Sequence, residues 1–127
     1  MPFGLWRKEY TIRRYGPPAV VNGHLIPGGY EDIMLGLDVQ ISKSETITDA
    51  DGEHKLQKLE VFADDEIYMV DEAEQRPADL LWFQGKWYEC RSVILLDNTI
   101  LSHYECEFIQ CLHQEKTPHG EVPHDNK

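Results

Sequence analysis

Apolar and polar residues alternate along most of this chain with the period of a β-strand. From Arg7 to Arg14, Tyr10 and Ile12 stand among charged neighbours, the pattern of a half-buried strand. Ile33 to Ser42 places Leu35, Leu37, Val39 and Ile41 on one face and Asp38 and Gln40 on the other, a second strand. Leu56 to Ala63 sets Leu59 and Val61 against Glu60 and Phe62 less regularly and predicts a third. Leu80 to Phe83 and Lys86 to Ile94 flank Gln84 and Gly85, which predicts a hairpin whose glycine supplies the positive φ of a tight turn. Asp97 and Asn98 mark the next turn. Ile100 to His113 then returns as a long strand, with Tyr104, Cys106 and Phe108 on one side and Glu105 and Glu107 on the other.

The connections are unlike one another. Residues 16–31 concentrate Gly16, Pro17, Pro18, Asn22, Gly23, Pro27, Gly28 and Gly29, a long loop with a small hairpin turning at Asn22 and Gly23. Loops of this length in small domains tend to serve function or to order against a partner, so Tyr15, Pro17, Pro18, Asn22, His24 and Tyr30 are candidate partner contacts. Ser44 to His54 has room for one short helix capped by Ser42 or Ser44, against which the β-branched Thr46, Ile47 and Thr48 argue. Asp64 to Pro77 is an acidic connector with space for a brief strand at Ile67–Val70. From Gln114 the chain is polar and holds Pro118, Gly120 and Pro123, the composition of a solvated arm. The expected fold class is mainly β, a small antiparallel β-barrel or sandwich with long loops. One β domain over 1–113, containing the loop 16–31 and the acidic segment 45–79, precedes a C-terminal arm over 114–127.

Charge narrows the functional classes. The formal net charge is −11 over 127 residues, which opposes tight binding of nucleic acid through its phosphates. Arg7, Lys8, Arg13 and Arg14 gather near the start, whereas Glu45 to Asp79 holds most of the acidic surplus. No apolar run approaches the length that spans a bilayer, and the first residues lack a signal-peptide pattern, so an intracellular origin without a membrane is expected. Cys90, Cys106 and Cys111 form an odd set with no CxxC pair and are expected as free thiols.

Catalytic and metal patterns are weak. His103 with Cys106 and Cys111 with His113 offer zinc-type ligands, but strand alternation points Cys106 away from the other three. His24 and His54 with Asp51, Asp64 or Asp65 suggest acid–base work without a nucleophile or paired carboxylates on a stable element. Asp49, Asp51 and Glu53 lack the spacing of a calcium loop. Neither an enzyme, a metal nor a cofactor is expected. Trp82, Trp87 and Tyr88 could form a ligand platform, and core packing accounts for them better.

Taken in order, the motifs resemble the small head completion or head–tail connector proteins of long-tailed bacteriophages and prophages. The resemblance runs from Arg7 to Leu112: a first strand, a Gly/Pro-rich loop, a "VQ" strand in Leu37–Gln40, a polar excursion ending at Asp51 and Gly52, and the strand LEVFADDEI. Asp79, Leu80, Gly85, Lys86, Trp87, Tyr88, Glu89, His103 and Tyr104 follow in the family's order, while Cys90 stands where an apolar residue is usual. The resemblance implies a virion neck protein, assembled in the host cytoplasm as a homo-oligomeric ring around the DNA channel. Its partners would be a portal or adaptor protein on one side and a tail completion, terminator or stopper protein on the other. Genomic DNA would be passing cargo. Asp79, Gly85, Trp87, Tyr88 and Tyr104 are then expected as scaffold, and Asp64, Asp65, Glu66, Asp71 and Glu72 as channel-facing acids that repel phosphate. A second class remains open: an acidic DNA mimic that inhibits a host nucleic-acid enzyme.

Overall fold

Each alternating strand has one apolar face to bury, and in the computed structural model six strands bury theirs by closing on themselves. The structure describes residues 7–26, 28–96, 103–112, 114 and 116–118. The strands are β1 (Lys8–Tyr15), β2 (Ala19–Val21), β3 (His24–Ile26), β4 (Tyr30–Asp49), β5 (Gly52–Ala63), β6 (Leu80–Phe83), β7 (Lys86–Leu96) and β8 (His103–Gln110). β1, β4 and β5 make one antiparallel meander, and β6, β7 and β8 make another. The meanders join where β5 pairs with β8 along Lys58–Ala63 and where Ile12 and Arg13 of β1 meet Leu81 and Leu80 of β6. The ring order is therefore β1-β4-β5-β8-β7-β6, with β2 and β3 forming a separate two-stranded sheet. Closure covers the central edges of the ring strands, while the β4–β5 extension beyond Ile41 pairs only within itself.

Alternation decides what fills the ring. Ile12, Leu37, Leu59, Leu81, Tyr88 and Phe108 belong to the buried core, and Tyr104 packs against it beside the buried Cys106. A bulge between Cys90 and Ser92 inserts one residue into β7, so that Cys90 and Val93 both turn toward the core while Arg91 stays exposed. The turn between β6 and β7 has positive φ at both Gln84 (51°) and Gly85 (81°), the backbone sense that matches twisted strands.

Several expectations change. Ser44–His54 is not a helix: β4 runs for 20 residues, and its end pairs with the start of β5 through Asp49↔Gly52. Thr46, Ile47 and Thr48 suit a strand, and the Asp49 carboxylate accepts from the Asp51 N–H at 2.8 Å to hold the turn. Ile41, expected on the buried face, is 61% exposed, because a shift in register between Ile41 and Ser44 carries β4 out of the core. Ile67–Val70 forms no strand. Ile67 instead enters the core at 2% exposure, and the Tyr68 carbonyl accepts from the Asp79 N–H while its own N–H donates to the Asp79 carboxylate. The turn expected at Asp97 and Asn98 and the ends of the last strand at Ile100 and His113 lie outside the described residues.

The start of the expected solvated arm is also bound. The Gln114 side chain accepts from the Trp87 N–H at 2.6 Å and donates to the Cys111 carbonyl at 2.8 Å, and Pro118 is buried. Polar composition left these residues with nothing apolar to bury, but their backbone carbonyls meet donors that would otherwise be buried alone.

Candidate functional site

The loop, the acidic connector and residues 116 and 117 converge where β1 ends. Arg13 and Arg14 are adjacent in β1, so their side chains leave opposite faces of the sheet. Arg14 shares the inward face with Ile12 but sits at the end of the ring. There it binds Asp79 through Nε at 3.1 and 3.2 Å and through Nη2 at 2.7 Å, a bidentate pair. Asp79 is only 1% exposed. Its Oδ2 also accepts from the Tyr68 N–H at 3.0 Å, and its backbone carbonyl accepts from Cys90 at 3.0 Å. Arg14 further donates to the Glu66 carbonyl at 2.9 Å and lies 4.0 Å over the Tyr68 ring. Burial works against the Arg14 charge, yet the hydrogen bond and charge of Asp79 outweigh it and raise the guanidinium above its ordinary pKa. The connector is thereby sewn across one end of the core, with Ile67 and Ala78 as its apolar underside.

Arg13 works on the outer face. It forms a two-point pair with Asp32 at 2.8 and 3.0 Å and lies 3.9 Å over Tyr30 and 4.5 Å over Trp87. Its remaining donors reach the carbonyls of Lys116 at 3.0 Å and Thr117 at 3.3 Å, and the Trp87 indole N–H reaches the same Lys116 carbonyl at 2.7 Å. Trp87 alternates with the inward Tyr88, so it is buried outside the ring, edge-on to Trp82 at 5.0 Å. The aromatic cluster therefore divides: Tyr88 fills the ring, while Trp82 and Trp87 build a small outer core under Gln114 and residues 116–118. The geometry is a closed, satisfied clamp.

Between these two arginine centres the expected contact loop leaves the ring. Tyr15 pairs with Tyr30 edge to face at 5.6 Å, and the Gly16 N–H donates to the Gly29 carbonyl at 2.9 Å, which zips the base. Gly28 is required there, because a Cβ would lie 2.2 Å from the Gly16 carbonyl oxygen. Beyond the base, β2 and β3 turn at Asn22 (φ 53°) and Gly23 (φ 78°). Every residue of both strands is exposed, including Val20 at 71% and Leu25 at 58%. Pro17 and His24 are exposed as well, and Pro18 is half-buried.

The acidic candidates share the connector but not one environment. Asp64 pairs with Arg7 at 3.0 Å and Asp71 with Arg76 at 3.7 Å, whereas Asp65, Glu66 and Glu72 are exposed. No group of three or more His, Cys, Asp or Glu among the described residues is arranged to hold a metal ion. His54 pairs with Asp49 at 3.0 Å on the β4–β5 hairpin, and His24 lies on β3, so the sequence's acid–base set is not gathered at one place. Cys90 and Cys106 are buried, and desolvation pushes the Cys106 thiol up to about 12 and Cys90 higher still, which makes both poor nucleophiles.

No protein-family model matches the chain, and no curated protein matches it.

Arg13, Arg14 and Asp32 are the organising residues that sequence reasoning missed, having been read only as part of a basic cluster or passed over. A signal was present: two adjacent arginines in a strand cannot both face solvent when each face packs against something. Asp79 was expected as scaffold, and it holds three segments together. Gly85 sits at the β6–β7 turn, Trp87 and Tyr88 are buried, and Tyr104 is half-buried at the edge of the core.

Proposed function

We propose that this protein is a structural joining subunit of a phage-type virion neck, assembled as a homo-oligomeric ring and linking a portal or adaptor layer to a tail-side layer. The observation that carries this reading is the β2–β3 hairpin, which holds Val20, Val21, Leu25 and Ile26 in water on a separate two-stranded sheet that pairs with no other strand among the described residues. An exposed apolar element on a pinned base is what a docking subunit presents to a partner. The order of sequence motifs, from the first strand to His103 and Tyr104, supports the neck as the place of docking. The rigid ring serves as the frame, and Asp79 with Arg14 holds the frame's end in shape.

In this reading the exposed Asp65 is the candidate carboxylate that faces passing DNA, since Asp64 and Asp71 are engaged with arginines and Glu66 and Glu72 line a surface groove. Repulsion of phosphate would let the genome slide. The competing class, a DNA-mimic inhibitor, is favoured by the net charge of −11. It is disfavoured by Asp32 and Asp79, whose carboxylates are spent on arginines of the fold rather than presented at the surface.

Negative-stain imaging of the protein mixed with portal particles tests the proposal. A neck subunit adds a ring of density at the portal and co-sediments with virions. A protein that never associates with portal or virions, yet binds a basic nucleic-acid enzyme in a salt-sensitive manner, sinks the neck reading and selects the mimic.

A further inference from the structure

We propose that the β2–β3 hairpin of one copy seats in the groove over the 66–72 connector of a second copy. This deepens the proposed function and rests on it, because it specifies how the chain meets itself. A two-stranded hairpin of three-residue strands is marginal in water. Here Val20 and Leu25 stand directly opposite each other on one face, while Val21 and Ile26 lie on the other, all exposed. Such a surface is stabilised when a partner covers it.

The groove has the complementary character. It is open, about 630 Å³, and its lining combines Ile67, Met69, Val70 and Val93 with Glu66, Glu72 and the Asp71–Arg76 pair. Met69 and Val70 are 41% and 51% exposed. The hairpin of the same chain does not line it.

Charge selects this hairpin among surfaces of the same chain. Two copies at −11 repel wherever carboxylates face one another, yet residues 16–29 contain no Asp, Glu, Lys or Arg. The hairpin therefore enters a groove of net negative charge without repulsion, and Asn22 and His24 offer N–H donors to Glu66 and Glu72. Because hairpin and groove are different surfaces, the contact is heterologous and propagates into a ring if the rotation closes.

Sedimentation velocity of the full chain at rising concentration tests this with two double variants, Val20→Asp/Leu25→Asp and Met69→Asp/Val70→Asp. All four sites are exposed, so thermal melting should stay close to wild type. The same pairs changed to Ser replace any variant that fails to fold. Wild type should form species larger than a dimer, and each variant alone should associate at least about tenfold more weakly. Mixing the two variants should restore a species capped at two subunits, since one supplies an intact groove and the other an intact hairpin. A hairpin variant that assembles like wild type overturns the proposal. So does a groove variant that still self-associates, which would mean hairpin-to-hairpin pairing, and so does a wild type that stays monomeric. A monomer that nevertheless adds a ring to the portal removes this contact and leaves the neck reading standing.

Discussion

Replacing Asp79 by asparagine keeps the shape of the side chain and removes its charge, and the structure makes this a demanding substitution. The carboxylate accepts from Arg14 at 3.1, 3.2 and 2.7 Å and from the Tyr68 N–H at 3.0 Å, while being 1% exposed. An amide can keep the Tyr68 bond, but its NH2 then faces the guanidinium donors. Breaking a buried ion pair from one side costs about 3–5 kcal/mol. The Arg14 side chain is 25% exposed and can recover part of its hydration, which places the expected loss near the lower bound, about 3 kcal/mol. For a domain of this size that lowers Tm by roughly 10 °C. Urea unfolding followed by tryptophan fluorescence and far-UV circular dichroism measures it. Hydrogen exchange should show the connector opening first, since Asp79 is what ties Tyr68 down. The double variant Arg14→Met/Asp79→Asn should cost less than the sum of the single variants, because neither charge is then left alone. A loss below about 1 kcal/mol for Asp79→Asn, or strict additivity in the cycle, would refute the reasoning.

Other outcomes follow from the same contacts. Gly28→Ala should unzip the hairpin base, where the new Cβ would lie 2.2 Å from the Gly16 carbonyl oxygen; exchange protection of the Gly16 amide should vanish while the global melt changes little. Trp87→Phe removes the 2.7 Å bond to the Lys116 carbonyl and part of the outer core, with an expected cost of about 2–3 kcal/mol in urea unfolding and faster proteolysis after Gln114; unchanged proteolysis would count against the clamp. The buried thiols make stability fall at high pH. The Cys106 pKa rises from 9.0 unfolded to about 12 folded, so between these values the unfolded chain has released a proton that the folded chain retains. Stability from this group is complete below the unfolded value and drops by up to about 1.4 kcal/mol per pH unit above it. Alkaline unfolding of wild type should be steeper than that of Cys106→Ala, and equal slopes would contradict the assignment.

The strands that lie in the ring were legible wherever one face is wet. Leu35, Leu37 and Val39 alternate cleanly, and so do Cys106 and Phe108, because each of these strands borders water on one side and core on the other. The hairpin at Asn22 and Gly23 and the turn at Gln84 and Gly85 were legible for a different reason, namely that positive φ restricts residue choice. The Ser44–His54 stretch was misread toward helix because a hairpin that leaves the core has no buried face to impose a period.

The β class, the turns at Asn22–Gly23 and Gln84–Gly85, the inward faces within the ring and the placement of neutral and acidic segments all depend on neighbours within a few residues and can be read from the chain. Only the tertiary structure decided that the two meanders close through Ile12 and Leu81, that Asp79 meets Arg14 across 65 positions, and that residues 116 and 117 return to Arg13 across 103 and 104. These pairings link segments far apart in sequence. A charged or backbone group looks the same in sequence whether it is solvated or buried with a partner, so its role emerges only when folding brings the partner into reach.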